Sequence, residues 1–141
     1  MWKLCYDGEL AEARAALARG EDVNSKTTGG ETALMLAVWQ NHNTIVKLLL
    51  DQPAVDVNVK RNDGGLTALH CAAGANNAEG ARMLLLHKDF NSANVTNSDG
   101  DTALMVAVTK RNEEVLRELV KHQCVSPVSY THLTLPTTPY V

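Results

Sequence analysis

Long apolar runs are missing from this chain of 141 residues. No segment approaches the roughly 18 consecutive apolar residues of a membrane-spanning helix. Long basic runs are missing too. The 13 Lys and Arg residues are dispersed, with no run longer than Lys60-Arg61 or Lys110-Arg111, and the net charge is only −3. That pattern argues against a nucleic-acid footprint. No basic-then-apolar leader opens the sequence, and acidic residues begin at Asp7, so secretion is unsupported. Cysteine is scarce: Cys5, Cys71 and Cys124 are odd in number and far apart, as expected of reduced, small core residues in a cytoplasmic or nuclear protein. Proline is nearly absent until the end, where Pro127, Pro136 and Pro139 fall close together. Residues 128–141 contain no Asp, Glu, Lys or Arg. This tail reads either as translated adaptor or vector sequence or as a genuine linker, and residues 126–141 are set apart from the reasoning about fold.

What is present is a repeat. Thr32-Ala33-Leu34, Thr67-Ala68-Leu69 and Thr102-Ala103-Leu104 follow one another at a spacing of 35. Gly30, Gly65 and Gly100 stand two positions before each Thr, and Ala37, Ala72 and Ala107 five positions after it. A fixed period of this size signals stacked supersecondary units. Within each unit Ala33 and Ala37, Ala68 and Ala72, and Ala103 and Ala107 share a helix face, where small side chains permit close helix approach. A second apolar-periodic stretch follows in each unit, over 44–50, 79–86 and 113–120. Its anchors are Ile45, Leu48 and Leu49, then Met83, Leu84 and Leu85, then Leu116, Leu119 and Val120. Asn41, Asn76 and Arg111 stand between the two helices, where a left-handed residue is needed. Asn tolerates that conformation and Arg111 is expected to be strained.

The chain resembles the ankyrin-repeat family. Thr67-Ala68-Leu69-His70-Cys71-Ala72 matches its T-P-L-H-x-A signature with Ala68 for Pro, and Asp22-Val23-Asn24 and Asp56-Val57-Asn58 resemble the motif that closes a family repeat. The resemblance covers roughly residues 1–125 and implies an all-α repeat fold, an ankyrin-type solenoid of helix-turn-helix units with short hairpin loops. Four units are expected, at about 1–26, 27–61, 62–96 and 97–125. The first lacks the Gly-x-Thr-Ala-Leu entry, so it is either a natural cap or part of something longer. A spacing of 35 exceeds the family's length of about 33, and the surplus is placed in loops such as Pro53-Ala54-Val55.

Constellations that could carry chemistry have structural explanations. His42, His70, His87 and His122 show no metal-ligand spacing. The resemblance implies that His70 bonds the Thr67 hydroxyl, a bond lost where Met35 and Met105 replace His. Glu113-Glu114 after Asn112 suits a helix start, with Asn112 as its cap. Gly29-Gly30 and Gly64-Gly65 lack the Gly-Lys-Ser/Thr of a phosphate loop. Asn94-Val95-Thr96 is a sequon without a secretory context. Neither an enzyme, a metal nor a cofactor is indicated. The resemblance also marks Asn24 and Asn58 as positions of a kind that is β-hydroxylated in the family, beside their plain role of bonding turn backbone.

The family typically binds protein partners on its concave face, through hairpin tips and exposed first-helix positions. Carried over, these are Tyr6, Asp7, Glu31, Trp39, Gln40, Leu66, Gly74, Ala75, Asp101, Thr109 and Lys110. Trp39 is either a binding anchor, of the residue type enriched in hot spots, or a cover for the neighbouring helix. Leu66 is a second apolar anchor at a hairpin tip. The competing reading is a structural spacer, or an intramolecular scaffold within a larger protein. No membrane or nucleic-acid partner is expected. The fourth unit keeps an interior pattern, so apolar surface and weak self-association are expected there.

Overall fold

The computed structural model describes residues 2–125. The tail at 126–141 and the reading of it lie outside the described residues. Eight helices form in pairs: α1 (Trp2–Asp7) and α2 (Leu10–Ala18), α3 (Ala33–Trp39) and α4 (Asn43–Leu50), α5 (Ala68–Ala75) and α6 (Ala78–Leu86), α7 (Ala103–Lys110) and α8 (Glu113–Val125). The odd-numbered helices stack as one row, α1 on α3 on α5 on α7, and the even-numbered ones as a second row, α2 on α4 on α6 on α8. This is an all-α repeat solenoid with no strand among the described residues beyond a lone bridge between Lys26 and Thr32 in a hairpin loop.

Local chemistry explains the repeated residues. Thr32, Thr67 and Thr102 cap α3, α5 and α7, each hydroxyl accepting from the backbone N–H three residues on. Gly30, Gly65 and Gly100 all have positive φ, a conformation that side chains resist, so the tip turn selects Gly at every repeat. Asn41, Asn76 and Arg111 turn the chain between paired helices at φ 62°, 54° and 56°. Ala33, Ala37, Ala68, Ala72, Ala103 and Ala107 are buried, which lets the short first helices pack closely. Ile45, Leu49, Leu84 and Leu119 fill the space between rows, joined by Val46 and Val115. Val120, expected as an anchor, is 44% exposed, because its side of α8 has no neighbouring helix among the described residues.

Three polar ladders tie unit to unit. Asn24 donates to the Ala54 carbonyl at 2.7 Å and accepts from the Asp56 N–H at 2.8 Å. Asn58 repeats this one unit on, donating to the Asp89 carbonyl and accepting from the Asn91 N–H. In the helix-helix turns, His42 donates from Nε2 to the Tyr6 carbonyl, and Asn77 to the Val38 carbonyl and the Asn43 Oδ1. Asn112 donates to the Ala73 carbonyl at 2.6 Å, so its amide nitrogen reaches back to the preceding unit instead of serving only its own helix. The third ladder is His70, whose Nε2 meets the Asp101 carbonyl at the next hairpin. The carbonyls of Tyr6, Val38 and Ala73 near the ends of the first helices are thereby satisfied across all three interfaces between the described units.

Candidate interaction face

The row of first helices and the adjoining hairpin tips bring most of the sequence-selected residues into two adjacent clefts. The first, about 320 Å³, is lined by Tyr6, Glu31, Trp39, Gln40 and Leu66, together with Met35, Leu36, Arg61 and Cys71. The second, about 260 Å³, is lined by Trp39, Leu66, Gly74, Asp101, Thr109 and Lys110, together with His70, Asn97, Asp99 and Val106. Asp7 and Ala75 line neither. Asp7 is exposed at the end of α1, 3.9 Å from Lys3, and Ala75 closes α5.

Trp39 and Leu66 form the wall between the clefts. Trp39 ends α3 and remains 48% exposed. Its ring lies over α5, where a Cβ on Gly74 would come within 2.9 Å of Cζ3. The indole therefore has a packing partner that its own repeat register did not reveal: the aligned position one unit on is small because the ring occupies that space. Covering a neighbouring helix and presenting aromatic surface coexist in this one side chain. Leu66 is half-buried instead of standing free at its tip, and its carbonyl accepts from the Arg61 N–H at 2.7 Å.

Charge is arranged differently in the two clefts. In the first, Glu31 pairs with Arg61 at 3.5 Å and accepts from the Thr27 hydroxyl at 2.9 Å, while Arg61 also reaches Asp63. In the second, the Asp99 and Asp101 carboxylates make no ion pair among the described residues, although their backbone N–H groups both donate to Asn97 Oδ1. Sequence reading missed Asp99, Asn97 and Arg61 because loop residues follow no helical period.

The buried groups nearby are inert. His70 sits beneath the second cleft, with Nδ1 accepting from the Thr67 N–H at 3.2 Å and facing the Thr67 hydroxyl at 2.9 Å. This fixes the neutral imidazole with its proton on Nε2. Burial holds its pKa below the ordinary value, with Lys60 adding to the effect and the Asp101 carbonyl opposing it. Burial pushes the Cys71 thiol up to about 12 and the Cys5 thiol up to about 11. Both are free thiols with little nucleophilic character near neutral pH. Glu113 and Glu114 lie in the first turn of α8, Glu113 near Arg117. Among the described residues no group of three His, Cys, Asp or Glu could hold a metal ion, and no helix is long and apolar enough to cross a membrane.

A larger cleft of about 550 Å³ lies between the outer helices α4 and α6, floored by Leu50, Met83 and Leu86. Its rim charges are mixed, and Arg82 pairs with Glu79 at 3.5 Å. It contains none of the residues carried over as partner-binding, and no Phe, Tyr or Trp. The paired clefts beside Trp39 are the better-equipped surface despite their smaller volume.

Comparison with protein families agrees with the architecture. A model described as ankyrin repeats in three copies matches residues 1–94, and a second, of a single ankyrin repeat, matches residues 99–131. No curated protein sequence matches the chain. With capped helix pairs, positive-φ tip glycines and two stacked rows now accounted for residue by residue, the chain belongs to the ankyrin-repeat family.

Proposed function

We propose that this chain is a protein–protein interaction module that takes a partner along its inner face, centred on Trp39 and Leu66. Ankyrin repeats generally act by binding proteins, and a noncatalytic role suits a face whose histidine and cysteine are buried and whose Glu31 is paired with Arg61. The observation that carries the reading is the pair of clefts sharing one half-exposed indole. Tyr6 at 48% exposure extends that aromatic surface to the first unit. A spacer without a partner has no use for aromatic side chains exposed along its length, and Trp and Tyr are enriched where binding energy concentrates. Unpaired Cys5 and Cys71 suit a reducing compartment, the cytoplasm or nucleus.

The test is affinity capture with the full chain and with Trp39→Ala, followed by mass spectrometry and titration of the captured partner. The variant is expected to weaken binding by about 2 kcal/mol or more while keeping its helical circular dichroism. Unchanged binding with collapsed helicity would make Trp39 a packing residue only.

The spacer reading has one specific support, the apolar end of the fourth unit. Met105, Val108 and Val120 are exposed there together. A face of that kind suits stacking against a further repeat or a second copy, and it is treated at the molecular scale below.

A further inference from the structure

We infer that the partner segment is extended and carries a basic side chain, Lys or Arg, three residues from an apolar one. The apolar side chain enters the cleft at Tyr6 and Leu66, and the basic one enters the cleft at Trp39, Asp99 and Asp101. This deepens the proposed inner-face function and rests on it.

The two clefts differ in chemistry. In the first, Glu31 and Arg61 already satisfy each other, and Met35, Leu36 and Cys71 leave an apolar interior. An incoming charge gains little there and loses its hydration, so an aliphatic group is the fitting occupant. In the second, an indole stands beside two carboxylates that have no ion-pair partner among the described residues. An aromatic face attracts a cation within about 6 Å of its centroid, and neighbouring carboxylates add hydrogen-bond acceptors for an ammonium or guanidinium. The opposing cations are few. Lys110 lies in the cleft wall, His70 below it is neutral, and the Lys60 side chain passes over Gly65. Lys110 in the lining and Lys60 at its edge match the two carboxylates in number, but neither lysine forms an ion pair with them among the described residues, so both carboxylates remain open acceptors for an incoming cation.

The spacing follows from the stack. Packed helices lie about 8–10 Å apart, and an extended chain in the polyproline II conformation advances about 3.1 Å per residue and returns every third side chain to the same side, whereas a β-strand would turn that side chain away. Side chains entering adjacent clefts are therefore about three residues apart.

Fluorescence anisotropy on the full chain tests this with labelled nonapeptides of Gly and Ser that carry Leu-x-x-Arg or Arg-x-x-Leu. Control peptides replace Arg by Gln or by Glu. In at least one order, the Arg peptide is expected to bind about fivefold tighter than its Gln counterpart, with the Glu peptide weakest. The Asp99→Asn, Asp101→Asn double variant should erase that preference while retaining the parent's circular dichroism. Equal binding of Arg and Gln peptides overturns the basic-residue assignment. If that common binding is lost in Trp39→Ala, the inner-face reading stands without it. Tightest binding of a Glu peptide, or a preference for Arg that survives the double variant, also overturns the inference. So does no binding by any peptide, and in that case the capture experiment with Trp39→Ala decides the inner-face reading separately.

Discussion

Leu69 and Leu104 occupy the same repeat slot in different surroundings. Leu69 is fully buried between α5 and its neighbours, while Leu104 is only partly covered. Leu69→Ala leaves a cavity enclosed on every side and should cost about 2–5 kcal/mol. Leu104→Ala, next to solvent, should cost less than about 2 kcal/mol, since its site can relax. Urea denaturation of the two variants measures the difference, and equal losses would show that the last unit is as enclosed as the third. His70 makes a second residue-scale prediction. Its Nδ1 accepts from Thr67, so a proton added there faces a donor and breaks the cap. The fold holds its pKa below the ordinary 6.5, so the unfolded chain takes up the proton first as pH falls. Its contribution is therefore intact above pH 6.5 and is lost progressively as pH drops below that value and through the folded-state pKa. Stability measured by denaturation between neutral and mildly acidic pH should fall less steeply in His70→Met than in the parent. Identical slopes would mean that His70 does not titrate differently on folding.

At the scale of the element, the turn between paired helices decides how cleanly each unit closes. Arg111 adopts φ 56° where the second and third units use Asn, and its exposed side chain makes no hydrogen bond or ion pair among the described residues that would offset the crowding of Cβ. A side chain in this conformation costs about 1–2 kcal/mol, against about 0.5–1 kcal/mol of extra unfolded-chain freedom for Gly. Arg111→Gly should accordingly stabilise the chain by roughly 0.5–1 kcal/mol, visible as a raised denaturation midpoint with unchanged slope. This position was legible in the sequence because the period placed Asn41, Asn76 and Arg111 in one slot. The helices, the Thr caps and the tip glycines were legible for the same reason: local chemistry repeats with the period. The cross-unit bonds were not. His42, Asn77 and Asn112 also recur at a spacing of 35, yet their carbonyl acceptors lie in the preceding unit, and no local rule links a turn side chain to a helix end more than thirty residues earlier. The same limit applied at Trp39. Its ring is fitted to Gly74 across an interface, and only the stacked helices show that the two choices depend on each other.

Across the whole molecule, burial is uneven along the stack. The slots of Met35 and Val38 in the second unit are 2% and 0% exposed, whereas Met105 and Val108, in the same slots of the fourth unit, are 49% and 57% exposed. The sequence hardly changes between these units; the difference is the neighbour. α3 lies between α1 and α5, while α7 packs on α5 and α8 and presents its other side without a helix among the described residues. In a stack, each unit draws its stability from the interfaces it shares, so one interface fewer lowers the free energy of local opening. Amides of residues 112–122 should exchange with solvent faster than those of residues 79–87, which lie on α6 and its C-cap between α4 and α8. The exposed Met105 and Val108 leave apolar surface on the fourth unit, so weak association between copies is expected to appear as a concentration-dependent mass in sedimentation equilibrium. Met105→Lys with Val108→Lys places two charges on that patch without touching a buried side chain. The pair should hold the chain monomeric while leaving the denaturation midpoint nearly unchanged. Equal exchange in the two segments, together with a single mass at every concentration, would show that the fourth unit is covered as well as the third and that its apolar face is not a stacking surface.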